Sequence, residues 1–249
     1  MTNETSVTRL LAQLSPPRLL ALFGQDASKA ADWVHAAAVD GLPLGQLCYG
    51  RMLLAGTGIS RDEGAALNWF RRAAAYGNLE AINMVGRCLD EGWGIAADPC
   101  SAADHYRLAA GAGYAWSQYN LGHLYLDGRG VERNFSLALR YYLRAAGQGH
   151  ERAMNLVARC CEQGWGTPVD VSAAAHWYRR SAEGGYFRGQ YNWATILAAA
   201  GRIDAAAEWF ERAATDGSAA VREAVIAKGL SPGAPAVLAQ LAARLQRIT

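Results

Sequence analysis

Residues 116–130 read Trp116-Ser117-Gln118-Tyr119-Asn120-Leu121-Gly122-His123-Leu124-Tyr125-Leu126-Asp127-Gly128-Arg129-Gly130, and this stretch decides the fold. Leu121, Leu124 and Tyr125 stand at i, i+3 and i+4, one apolar stripe of an amphipathic helix. Gly128-Arg129-Gly130 then supplies backbone angles that other residues resist and ends that helix. Working outward, the same triplet recurs as Gly56-Thr57-Gly58, Gly92-Trp93-Gly94 and Gly164-Trp165-Gly166, at steps of 36 residues. Gly41, Gly77, Gly113, Gly149 and Gly185 keep that step, and Gly217 follows after 32. A fixed period of this size marks a supersecondary element that cannot bury its apolar face alone and stacks on copies of itself.

A second helix in each repeat opens at Asp62, Asp98, Asn134 and Asp170, good N-caps because the side-chain oxygen accepts from an orphan N–H. Ala66, Ala102, Ala138 and Ala174 follow four residues on, then the ring-bearing Trp69, His105, Tyr141 and Trp177, then Ala73-Ala74, Ala109-Ala110, Ala145-Ala146 and Ser181-Ala182. In the first helix Gly122 corresponds to Gly50, Gly86, Ala158 and Ala194, so only small residues occur where a close helix crossing is expected. The predicted pairs are 44–55/62–76, 80–91/98–112, 116–127/134–148, 152–163/170–184 and 188–200/203–216, with no β-sheet.

The ends depart from the pattern. Asp26, Ala30, Trp33, Ala37-Ala38 and Gly41 reproduce a second helix one step upstream, while Pro16-Pro17 scrambles its partner. Residues 1–25 therefore read as an irregular helical N-cap, with helix over 5–24, and 26–217 as half a repeat plus five repeats. In the fifth, Ala200-Gly201-Arg202 replaces the Gly-x-Gly turn. Residues 218–249 read as capping helices: a short one at 219–228, then an amphipathic one presenting Val237, Leu238, Leu241, Leu245 and Ile248 to the last open core.

The chain of 249 residues is 51% hydrophobic and 18% charged, ample for a core and too poor in charge for disorder. A net charge of +2 argues against nucleic acid as the main partner. The N-terminus shows neither a basic n-region nor an apolar h-region, and no 18-residue apolar run exists to insert in a membrane, so the expected location is the cytoplasm. Cys48, Cys88, Cys160 and Cys161 occupy positions held elsewhere by apolar residues, and Cys100 aligns with serines just inside a helix. They read as packing residues, with neither zinc nor disulfides expected.

Leu121-Gly122-x-x-Tyr125-x-x-Gly128-x-Gly130-Val131 followed by Ala138-x-x-Tyr141-Tyr142-x-x-Ala145-Ala146-x-x-Gly149 resembles the Sel1-like repeat, a relative of the tetratricopeptide repeat. The resemblance covers residues 26 to about 217. It implies an all-α, right-handed solenoid superhelix of antiparallel helix pairs, whose first helices line a concave groove, in a bacterial adaptor that gathers other proteins. A cysteine-rich branch of the family implies β-lactam binding or hydrolysis, but this chain lacks cysteines at the places that branch requires. An accessory or immunity subunit for one dedicated enzyme, including an enzyme of iron uptake, is the remaining alternative.

No His-Glu-x-x-His, Gly-x-Ser-x-Gly or phosphate loop is present, and the histidines show no i, i+4 pairing for a metal. No catalytic residue, cofactor or metal is expected. If the first helices face inward, residues at i, i+3 and i+7 give one stripe. It reads Leu44/Leu47/Arg51, Glu80/Asn83/Arg87, Trp116/Tyr119/His123, Arg152/Asn155/Arg159 and Arg188/Tyr191/Thr195. Arg forks grip carboxylates, Asn can hold a peptide backbone, and Tyr and Trp add rigid contact area. The expected peptide-binding groove is thus Arg51, Asn83, Arg87, Trp116, Tyr119, His123, Arg152, Asn155, Arg159, Arg188 and Tyr191, for a protein or peptide with acidic groups. The competing reading is an internally paired ladder using Glu80, Asp90, Glu91 and Asp127. Trp93 and Trp165, in mid-loop, read either as edge contacts for a partner or as rings folded back on a helix.

Overall fold

The 36-residue period resolves into helix–loop–helix repeats. A computed structural model describes residues 26–247. The expected cap over 1–25 lies outside the described residues, as do Ile248 and Thr249. Among the described residues there are thirteen helices and no strand: α1 (Ala27–Val39), α2 (Pro43–Ala55), α3 (Glu63–Ala75), α4 (Leu79–Glu91), α5 (Pro99–Gly111), α6 (Ala115–Asp127), α7 (Phe135–Gly147), α8 (Glu151–Gln163), α9 (Val171–Glu183), α10 (Phe187–Ala199), α11 (Ile203–Asp216), α12 (Ala219–Leu230) and α13 (Ala236–Gln246). Every predicted pair is present, each end within one residue of its expected place. The chain divides into two compact halves, through Arg133 and from Asn134. Within each half, every helix packs on the next one in sequence. No helix among the described residues is long and apolar enough to cross a membrane.

The boundaries have local causes. Asp62, Asp98, Asn134 and Asp170 each accept from the backbone N–H three residues on, at 2.8 to 3.0 Å. Gly92 ends α4 in the left-handed region at φ 76°, returning its N–H to the Cys88 carbonyl. Two residues later Gly94 also has positive φ, at 68°, for a different reason. A Cβ there would lie 2.5 Å from the carbonyl carbon and oxygen of Glu63 and from the Gly64 amide, so the loop lies against the first turn of the preceding repeat's α3. The Glu63 carboxylate accepts from the Gly94 N–H at 3.2 Å. Gly58 on Ala27, Gly130 on Pro99 and Gly166 on Phe135 repeat this approach. The second glycine of the triplet is therefore an inter-repeat joint as well as a turn residue.

The small-residue position behaves as expected. A Cβ on Gly50 would stand 2.6 Å from the Phe70 ring, and one on Gly86 would stand 2.7 Å from the Tyr106 ring. These rings, with Tyr142, Tyr178 and Phe210, are the buried aromatics of the second helices. The ring-bearing residues singled out from the sequence sit one position earlier and are only half-buried. Arg72 covers Trp69 at 4.5 Å, Arg144 covers Tyr141 at 5.7 Å, Arg180 covers Trp177 at 4.7 Å and Arg212 covers Trp209 at 4.6 Å. His105 has Leu108 in place of that arginine, and its Nδ1 lies 2.9 Å from the Ser101 carbonyl oxygen. In the second half, Leu238, Leu241 and Leu245 of α13 close on Phe210, Ala206 and Leu197, while Val237 remains exposed. Cys88 and Cys160 are buried, and burial pushes their thiols up to about 11 and about 12, which keeps them protonated and inert.

One cap is ionisable. His150 opens α8, is buried, and accepts from the Ala153 N–H at Nδ1, 3.2 Å away. Burial pushes its pKa below the ordinary value, with neighbouring Glu151 opposing and Arg152 assisting. A protonated ring cannot accept this bond and places positive charge at a helix N-terminus. The cap is therefore intact above pH about 6.5 and is lost as pH falls through the lower native pKa. Stability is expected to drop by about 1 kcal/mol as that titration completes. His150→Asn, which copies the cap that Asn78 provides at the head of α4, should remove this part of the decline. Urea midpoints of both proteins from pH 7.5 to 4.5 check it; parallel profiles would contradict it.

Candidate functional site

Arg51, Arg87 and Trp116 come from successive first helices, α2, α4 and α6, and all belong to the first half. They line a hollow of about 370 Å³, together with Glu80, Asn83, Tyr114 and an apolar wall of Leu54, Ala55 and Met84. Arg51 pairs with Glu80 across the two helices, with 39% of the arginine and 33% of the carboxylate side chain exposed. The Arg87 guanidinium lies 4.8 Å over the Trp93 ring, with Nη1 3.8 Å from the Met84 sulfur. It makes no ion pair among the described residues. Burial raises the Tyr114 hydroxyl pKa, against the pull of Arg51 and Arg87, so the phenol sits within the field of both guanidiniums. Trp116 is 39% exposed. Its ring meets Tyr119 edge-on at 6.0 Å, and Tyr119 meets His123 at 4.6 Å, an aromatic row running along α6.

Asn83 differs from its expected role. It is buried, and its Oδ1 accepts from Ser117 Oγ and Asn120 Nδ2, both at 2.9 Å. In the second half Asn155 is likewise buried and accepts from Asn192 Nδ2 at 2.9 Å. These oxygens join adjacent first helices, where the sequence reading has them gripping a peptide. The partners are 37 residues apart, one step off the repeat register. Asn83 with Asn120 and Asn155 with Asn192 were the available signal, hidden by comparing only aligned positions. Tyr191 is half-buried against Phe210 at 5.3 Å and belongs to the last core cluster.

The remaining expected residues of the second half stay at the surface. Arg152 is exposed and reaches over Tyr186 at 5.7 Å, and Arg188 over Phe187 at 5.8 Å. Arg159 lies 5.3 Å over Trp165, whose ring stacks on Phe135 at 6.1 Å. Trp93 and Trp165 are thus folded back, each under an arginine of its own repeat, and Trp165 also packs on Phe135 of the preceding repeat. The ladder reading holds only in part. Asp90 and Asp127 are occupied by Arg129 of the third loop, at 2.9 and 3.9 Å, rather than by the stripe. Burial raises the Asp90 pKa while Arg129 opposes it.

The ionisable side chains of the hollow are two arginines, one paired carboxylate and a tyrosine with a raised pKa. That set offers fixed positive charge beside apolar and aromatic surface. It does not pair a nucleophile with a base.

Helix pairs of one length, closed by in-phase glycine loops and packed in sequence order, define an all-α repeat scaffold of the solenoid class. The Sel1 repeat family matches residues 44–78, 79–114, 117–150, 151–186 and 203–218, and the chain belongs to that family. The match skips α10 and the altered turn at Ala200-Gly201-Arg202. Repeats of this kind are scaffolds for contacts between proteins. No curated protein matches the chain. Among solved structures it is similar to c5321, a protective antigen of uropathogenic Escherichia coli with an SLR fold, at 27% identity and TM-score 0.70. That similarity covers 98% of this chain but 53% of c5321, so the chain spans about half of that protein's length. A Sel1 repeat protein from Oxalobacter formigenes shares the fold at 24% identity and TM-score 0.73, over 91% of this chain and 93% of that one. The immunity protein Pa5087 from Pseudomonas aeruginosa does so at 15% identity and TM-score 0.54, over 88% and 80%.

Proposed function

We propose that this chain is a non-enzymatic adaptor that holds an extended segment of a partner protein on its first helices, with the hollow between Arg51, Arg87 and Trp116 as the anchoring point. The observation that carries this reading is Arg87, a guanidinium without a carboxylate partner among the described residues, held on an indole face beside a half-exposed Trp116. An arginine fork next to aromatic area is the composition of interface hot spots. The second half carries its own guanidiniums beside aromatic rings, in Arg152, Arg159 and Arg188, and the partner segment carries carboxylates to meet this chemistry. Five free cysteines suit a reducing compartment, and the cytoplasm is the proposed place of action. An accessory or immunity subunit would use the same surface on a folded enzyme; the likeness to Pa5087 supports the scaffold for that alternative and no particular partner. The β-lactam hydrolase reading gains no support from the side chains of the hollow.

The test is binding of acidic peptides, read from Trp116 emission as the difference between the wild type and Trp116→Phe. Affinity is expected to fall about tenfold between 0.05 and 0.5 M salt, because exposed charge contacts are screened. Arg87→Glu should abolish binding with helicity unchanged by circular dichroism. Full affinity in Arg87→Glu would overturn the reading.

A further inference from the structure

We infer that Glu80 sets the specificity of the hollow: it limits the site to a segment presenting one carboxylate beside an apolar side chain. This rests on the hollow being a binding site and goes on to say what it selects. Two guanidiniums and one carboxylate line the same wall, which leaves a charge of +1. Glu80 satisfies Arg51, so the fork left to a ligand is that of Arg87. Its guanidinium carbon lies over Trp93 and its Nη1 reaches the Met84 sulfur at 3.8 Å, which leaves the Nε and Nη2 edge to grip a carboxylate. A second carboxylate would have to compete with Glu80 for Arg51 and would meet its repulsion. Beside Arg87, the wall of Leu54, Ala55 and Met84 with the Trp116 ring is apolar. A volume of about 370 Å³ is at the small end of ligand pockets and admits one or two residues rather than a folded surface. The shared chemistry is an apolar side chain next to one carboxylate, from either an internal Glu or Asp or a free chain terminus.

Glu80 is partly exposed and its partnership with Arg51 bridges two helices near the surface, so Glu80→Gln should fold; its helical signal and urea midpoint confirm that first. Four fluorescein-labelled peptides are then compared on the full chain by anisotropy. They are an amidated Ser-Leu-Glu-Ser, its Gln counterpart, an amidated Ser-Leu-Glu-Glu, and a Ser-Ser-Leu ending in a free carboxylate. The wild type is expected to bind the Glu peptide about tenfold tighter than the Gln peptide, and the double-Glu peptide no tighter than the single. Glu80→Gln should bind the double-Glu peptide about tenfold tighter than the single. Preference for Ser-Ser-Leu over the internal Glu assigns the carboxylate to a chain terminus; the reverse assigns it to a side chain. If peptides bind and shift Trp116 emission but Glu and Gln are not distinguished, the inference fails, and capture of a segment in the hollow stands without the preference for carboxylates. If Glu80→Gln improves the single and double acids equally, Glu80 sets affinity only and the inference also fails. If no peptide binds, both fail.

Discussion

Replacing Gly94 with alanine is expected to destabilise the protein by about 3–4 kcal/mol, while the same change at Gly92, two residues away, should cost about 1 kcal/mol. Both glycines have positive φ, at 76° and 68°, so both substitutions incur the left-handed penalty. They differ in surroundings. A Cβ on Gly92 meets nothing nearer than 3.5 Å, whereas one on Gly94 lies 2.5 Å from the Glu63 backbone. Backbone cannot swing away as a side-chain tip does, so the joint between the second loop and α3 must open, and the Gly94 N–H loses Glu63 as well. Urea unfolding of the two variants measures this directly. Equal midpoints would show that the triplet is only a turn and that the repeats do not lock through it.

Gly86→Leu is expected to cost at least about 3 kcal/mol by overpacking, and Gly86→Ala far less. The Cβ alone would come within 2.7 Å of the Tyr106 ring and 3.3 Å of His105 Cβ, and Tyr106 is 1% exposed with little room to retreat. Alanine is different because Ala158 and Ala194, both fully buried, already hold this place in the fourth and fifth repeats. A ring can therefore sit against a methyl there. The helix-propensity gain of about 1 kcal/mol from Gly to Ala offsets part of the remaining strain. Thermal or urea unfolding of the pair is the check, and a leucine variant as stable as the alanine one would place the position outside the helix crossing.

The scaffold was legible in the sequence because its determinants are local and repeated. Asp62, Asp98, Asn134 and Asp170 cap the helices that they mark, and Gly56, Gly92, Gly128 and Gly164 stop the helices before them. The site was legible only in part, because it depends on contacts between repeats. Arg51, Arg87 and Trp116 were placed on one stripe and do line one hollow. Asn83 and Asn155 lie on that stripe too, yet their partners are one residue out of register, which in-register alignment cannot display. Tyr114 does not stand out in the sequence because it holds the N-cap place before α6, whose counterparts Leu42, Asn78, His150 and Tyr186 share no one chemistry. The arginine–tryptophan stacks are only partly visible in the sequence: both loop tryptophans, Trp93 and Trp165, occur in repeats that carry Arg87 and Arg159, but Arg51 stands at the same position in a repeat whose loop has Thr57.

Photocrosslinking in the cells that make the protein can catch a partner segment in the hollow of the first half, with a benzophenone amino acid replacing Trp116 in one variant and Trp165 in another. A crosslink is expected from position 116 to one partner segment bearing a carboxylate, lost when Arg87→Glu is added. A crosslink that survives Arg87→Glu, or a partner captured from position 165 and never from 116, would rule out the hollow as the binding place.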